Sequence, residues 1–210
     1  MAAPLSDLRV VDISTVLAGP NCARYLADFG ADVIKVERPD TGDSLRGMAW
    51  RDPRDGEGLW WKLVNRNKRN IALDFKNEED LALLRRLLDD AHVLVENFRP
   101  GTLERLGLAP EELLKRNPKL VIVRVSGFGQ DGPYAERAGY DFVIQGMSGL
   151  MSVTGDIDGE PAKVGVAITD LLTGLYAANA IQAALLHRHT TGRGQHIDIG
   201  LFDVQVAAMA

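Results

Sequence analysis

Three observations predict an α/β fold with an open, mainly parallel sheet flanked by helices. Short runs of branched apolar residues recur along the chain, segments with helical apolar spacing separate them, and the first strand, turn, helix and second strand fit within about thirty residues. A connection of that kind joins parallel strands through a right-handed crossover, and repeating it builds a Rossmann-like sheet.

The elements follow in order. Leu8 to Ile13 reads as the first strand, the loop STVLAGP follows, and Asn21 to Asp28 reads as a helix closed by Gly30. Ala31 to Val36 is the second strand. The stretch from Asp40 to Asn70 is rich in Gly, Arg, Asp and Trp without a clear period and is expected to be loop with short helices. Glu78 to Asp90 carries Leu81, Leu83, Leu84, Leu87 and Leu88 with the spacing of a helical face, and AHVLVEN makes a third strand. A short helix from Pro110 is stopped by Pro118, and Leu120 to Val125 is the fourth strand. The glycine-rich turn SGFGQDGP, a helical segment from Tyr140 to Ser148 and a turn from Thr154 to Pro161 come next. Thr169 to His189 is expected as a long buried helix, and TTGRGQHIDIGLFD as turn, strand and new helix. The final LFDVQVAAMA ends without a capping residue and reads as an interrupted helix.

With 210 residues, 46% hydrophobic and 25% charged, the chain has the composition of one globular domain. A net charge of −5 supplies no basic field for nucleic acid. The longest nearly apolar run, Leu171 to Leu186, is too short to span a bilayer and contains Thr173, Asn179 and Gln182, so no membrane partner is expected. Cys22 is the single cysteine, which excludes an intrachain disulfide. The start MAAPLSDLRVVDIS lacks a basic stretch followed by an apolar one. Together these point to a cytoplasmic setting. His187 and His189 do not share a helical face, and no metal-ligand spacing occurs, so no metal is expected.

In such sheets ligands bind beyond the carboxyl ends of the strands. Those positions hold STVLAGP, then Glu37 and Arg38, then Asn97 and Phe98, then SGFGQ. The first loop lacks G-x-G-x-x-G, which argues against a nicotinamide dinucleotide. Arg38 suits a phosphate or an adenine face, or else is a solvated surface residue. Asp170 lies near the start of the long helix, either as an N-cap or as a carboxylate nucleophile, and spacing leaves both open. Tyr140, at a turn, is a phenol facing a ligand or a half-buried aromatic. Cys22 reads as a small core residue rather than an activated thiol.

The strings LRVVDISTVLAGPNCARYLADFGADVIKVERPDTGDSLR, NRNKRNIALDF, VENFRPGTLERLG, SGFGQDGPYAERAGYDFVIQGMSG and AITDLLTGLYAANAIQAALLHRHTTGRGQHIDIGLFD resemble the class III CoA-transferases, or CaiB/BaiF family. That family includes formyl-CoA and carnitine CoA-transferases and the related α-methylacyl-CoA racemases, and the resemblance runs from about Leu5 onward. It implies that residues 1–210 are the N-terminal part of a CoA-binding, Rossmann-like large domain. The small domain and returning C-terminal segment of that family lie outside them.

The resemblance also implies an interlocked homodimer when full length. It places the catalytic aspartate on Asp170 and the active-site tyrosine on Tyr140, with CoA contacts on Val16, Ala18, Arg38, Leu73, Asn97, Phe98 and Arg105. The implied reaction moves CoA from an acyl-CoA, with succinyl-CoA as donor, to a small carboxylic acid through an aspartyl-CoA thioester. Coenzyme A is then a substrate, and no cofactor stays bound. Two positions depart from relatives within the family. Leu17 stands where formyl-CoA transferases have glutamine, and Tyr140 where the racemases have histidine, which weighs against the alternative of an acyl-CoA racemase or epimerase. A non-catalytic CoA-binding fragment is the other alternative.

Overall fold

The apolar runs become strands and the periodic segments become helices in the computed structural model, which describes residues 3–210. In chain order they are β1 (Arg9–Asp12), α1 (Ala18–Asp28), β2 (Asp32–Glu37), α2 (Leu59–Asn65), β3 (Lys68–Ala72), α3 (Glu78–Asp89), β4 (Val93–Glu96) and α4 (Thr102–Arg105). They continue with α5 (Pro110–Arg116), β5 (Val121–Ser126), α6 (Asp141–Met147), α7 (Ile168–Thr191), β6 (Gln195–Gly200) and α8 (Leu201–Ala207).

The sheet has six strands in the order β3-β2-β1-β4-β5-β6, every neighbouring pair parallel. Strand order reverses between β1 and β4, and a crevice forms there outside the strand ends. Strands β4 and β5 are buried along their whole length because helices cover both faces. On one face α1 and α7 contribute Cys22, Leu26, Ala177 and Ile181 to the core. On the other, α3 and α5 contribute Leu84, Leu88 and Leu113.

Three sequence expectations need correction. The region expected to be loop as far as Asn70 contains β3, whose sequence KRNIA is polar and largely exposed because the strand lies at the sheet edge. Helix α1 starts at Ala18 rather than Asn21, since Gly19 and Pro20 fit in a first turn whose amides need no intrahelical partner. The long helix α7 is not buried all round. Small residues, among them Gly174, Ala177 and Ala178, face inward, while Leu175, Tyr176 and Leu186 remain exposed. No helix among the described residues is long and apolar enough to cross a membrane.

Small residues also let α1 and α7 approach closely. A Cβ placed on Gly174 would lie 2.9 Å from the Asn21 Nδ2 and 3.1 Å from the Ala18 carbonyl oxygen. The first turns of both helices therefore meet at the crevice, Ala18 on one side and Asp170 on the other.

Candidate active site

The loop after β1 is held from below by buried charge. Lys35, fully buried on β2, donates to the Ser14 carbonyl and to Asp43 Oδ2 at 3.3 Å. Asp12 accepts from the Ser14 amide at 3.0 Å and from Lys68 Nζ at 2.9 Å. Burial pushes the Lys68 ammonium down to about 8 against the pull of Asp12. Burial also opposes ionisation of Asp12, yet Lys35 and Lys68 hold it below the usual carboxylate range. Asp43 in turn accepts from the Val16 amide at 3.3 Å.

Val16 has φ 67, a conformation that a β-branched side chain adopts only under constraint. Asn97 fixes the neighbouring peptide from the other strand, accepting from Thr15 N at 2.7 Å and donating to Thr15 O at 2.6 Å. Its side chain thus lines the crevice while tied across the switch point.

The opposite wall rises from β4 and β5. Glu96 accepts from the Phe98 amide at 2.6 Å and from Arg124 Nε at 2.8 Å, and Arg124 reaches on to Glu104 at 2.7 Å. Burial pushes the Glu96 carboxyl up to about 7 despite those bonds. After β5, the loop touches the approach to α6: a Cβ on Gly127 would stand 2.6 Å from the Gly139 Cα, so only glycine backbones fit this crossing. Tyr140 follows directly and heads α6.

Asp170 is the third residue of α7, and the N-cap position belongs to Ala167. The capping bonds come from another helix. Asp141 Oδ1 accepts from the Thr169 amide at 2.7 Å and the Asp170 amide at 3.3 Å, while Asp141 Oδ2 accepts from Gln145 Nε2 at 2.6 Å. The Asp170 carboxylate makes no hydrogen bond or ion pair among the described residues and lines the crevice. Burial, and then the negative charge of Asp141, push it up to about 7. Of the two readings open at Asp170, the N-cap is therefore set aside by geometry. The group left is a half-buried, unusually basic carboxylate with free oxygens at a cleft wall, an arrangement suited to nucleophilic attack or proton transfer.

Two joined clefts open here. The smaller, about 180 Å³, brings together Val16, Leu17, Ala18, Asn97, Tyr140 and Asp170. The larger, about 580 Å³, lies beyond β1 and β2 and holds Arg38 and Leu73, with Thr15 and Phe98 lining both. The Arg38 guanidinium is exposed and has no hydrogen-bond partner among the described residues. Arg105 lines neither cleft and donates to Thr102 Oγ1 at 2.8 Å. Tyr140 is 68% exposed, which corrects the half-buried alternative. Cys22 is fully buried, and burial pushes its thiol far up, so it is a core residue. Sequence reasoning missed Asp141, Arg99 and Arg137 around the smaller cleft and Lys35 and Asp43 beneath it. For Asp141 the available signal was an acidic residue opening a helical segment.

Known proteins share this architecture. The chain is 51% identical to a succinate–glutarate CoA-transferase of Agrobacterium fabrum, covering 99% of this chain and 53% of that protein. It is 45% identical to a succinyl-CoA–D-citramalate CoA-transferase of Chloroflexus aurantiacus, covering 98% and 51%. A solved CaiB/BaiF family protein from Brucella suis superimposes with a TM-score of 0.95 at 47% identity, over 100% of this chain and 56% of that one. The chain spans about half the length of the curated relatives it matches. Since the family model described as CoA-transferase family III matches residues 5–210, nearly the whole sequence, the chain belongs to that family.

Proposed function

We propose that these residues form the CoA-binding, nucleophile-bearing part of the large domain of a CoA-transferase, which moves CoA from an acyl-CoA to a small carboxylic acid through an aspartyl thioester on Asp170. The observation that carries this reading is the uncommitted, basic Asp170 carboxylate on the wall of the smaller cleft, which adjoins the larger one through Thr15 and Phe98. Succinyl-CoA as donor draws support from the names of the similar proteins above. The larger cleft has room for the nucleotide end of CoA, with Arg38 facing phosphate or adenine and Leu73 and Phe98 giving apolar contact. The smaller cleft then receives the thioester beside Val16, Ala18 and Asn97, with Tyr140 and Asp170 both on its lining. Arg105, outside both clefts, serves as an outer contact to the nucleotide.

In this mechanism a carboxylate oxygen of Asp170 attacks the thioester carbonyl of the donor. The C–S bond breaks, leaving a mixed anhydride and a CoA thiolate. The thiolate attacks the aspartyl carbonyl, the donor acid leaves as its carboxylate, and CoA remains on Asp170 as a thioester. An acceptor carboxylate then attacks that thioester carbonyl, giving a second anhydride and the thiolate again. Attack of the thiolate on the acceptor's acyl carbon releases the new acyl-CoA and restores Asp170. Thioester energy is conserved, so no permanently bound cofactor enters. Holding CoA by its nucleotide keeps the thiolate beside the anhydride, which favours recapture over hydrolysis.

A cytoplasmic setting and an interlocked homodimer belong to the same proposal. The lone buried thiol of Cys22 fits the first, and the exposed Phe142, Leu175 and Tyr176 offer apolar surface for the second. The proposal is tested with Asp170→Asn. The variant is expected to lose CoA transfer while its CoA dissociation constant stays within a few-fold, since size is retained and the attacking oxygen is not. Transfer at wild-type rate would overturn it.

A further inference from the structure

A carboxylate in the first turn of a helix is drawn to the free amides of that turn. Asp170 occupies such a position on α7 and yet stays unbonded. The reason lies on α6, whose Asp141 has taken those amides with one oxygen and is itself locked through the other by Gln145. Gln145 is fully buried and accepts from the Val164 amide at 2.9 Å, so Asp141 has little freedom to leave. Thr169 is tied separately to α8, donating from Oγ1 to Gln205 Oε1 at 2.8 Å.

We propose that Asp141 is the positioning residue of Asp170: by capping α7 from a second helix it occupies the amides that would bind the Asp170 carboxylate and so keeps that carboxylate free in the cleft. This rests on Asp170 being the nucleophile. The device uses one side chain twice. Its Oδ1 satisfies the amides that would otherwise hold Asp170 down, and its negative charge stands beside a second carboxylate in a partly water-excluded site. Other groups around Asp170 do not substitute for it. The elements packed there carry Arg99 after β4, Arg137 and Tyr140 ahead of α6, and Asp203 on α8, while the first turn of α1 is uncharged. Beyond burial, Asp141 alone raises the Asp170 carboxyl.

The experiment compares the wild type with Asp141→Asn, Asp141→Ser and Asp141→Ala. Two quantities are read against pH: the Asp170 side-chain midpoint by carbon-13 NMR of the unliganded protein, and the rate of Asp170 modification by succinyl-CoA. Asn and Ser keep a neutral capping oxygen, and Ser avoids placing an amide against Gln145. Both are expected to lower the Asp170 midpoint by roughly half a pH unit or more. The acidic limb of the rate should move down with it, because the ionised form reacts. Asp141→Ala removes the cap as well and is expected to slow modification about tenfold or more at every pH as Asp170 turns back to its own helix.

Unmoved midpoints in both neutral variants would overturn the inference, as would an Ala variant no slower than Ser once melting temperatures are matched. Absence of any adduct in the wild type would instead remove the nucleophile reading. The NMR titration still reports on Asp141 in that case.

Discussion

Asp170 is a burden on the fold for the same reason that it suits chemistry. Its carboxyl titrates near 3.8 in an unperturbed chain and about 7 here. Across that window the folded chain keeps a proton that the unfolded chain has released. Its contribution to stability therefore falls as pH rises from the lower value to the higher, and is least favourable above it. Asp170→Asn should accordingly stabilise the protein at pH 8 by on the order of 1 kcal/mol, discounted for solvent access, and by much less at pH 4. Urea melts at the two pH values check this, and a loss of stability at pH 8 would restore Asp170 as a structural cap. At Arg38 the prediction concerns binding alone. The exposed, unpaired guanidinium can be removed without harm to the fold, and Arg38→Ala should weaken CoA binding by roughly 1–3 kcal/mol in calorimetry.

At the scale of elements, the approach of α7 to α1 sets where Asp170 stands. Gly174→Ala would drive a methyl against the Asn21 side chain and the Ala18 carbonyl. The expected result is a net loss of about 1 kcal/mol, overpacking outweighing the gain in helix propensity, with slower modification of Asp170. A more stable variant with unchanged rate would mean that the contact does not position the site.

The central strands and α3 were legible because period and burial coincide in them, and α7 because of its long apolar run, although that run overstated its burial. Strand β3 was not, since an exposed edge strand carries no apolar alternation for KRNIA to display. The position of Asp170 at a helix start was legible too, but its freedom was not. The residue that caps α7 in its place pairs with Thr169 across 28 positions, and Lys68 reaches Asp12 across 56. Partners that distant leave no local pattern, so spacing leaves the same aspartate open to reading as cap or nucleophile until the helices are packed.

Over the whole molecule, much of the buried charge lies beside the switch-point crevice. Lys35, Asp43, Asp12 and Lys68 lie beneath one wall of the switch-point crevice, and Glu96 and Arg124 beneath the other. Buried ion pairs add little net stability but penalise any loop movement that would separate them. The clefts are thus largely preformed. CoA is expected to slow hydrogen exchange in residues 14–20, at Arg38 and at Asn97 to Phe98, with little change at the opposite end of the sheet. Uniform or absent protection would place the nucleotide elsewhere. The central claim, a covalent intermediate on Asp170, is tested most directly by incubating the protein with succinyl-CoA alone, quenching with hydroxylamine and sequencing peptides by mass spectrometry. The account predicts a hydroxamate on Asp170 that is absent without the thioester and absent in Asp170→Asn; transfer-competent protein whose Asp170 is never modified would contradict it.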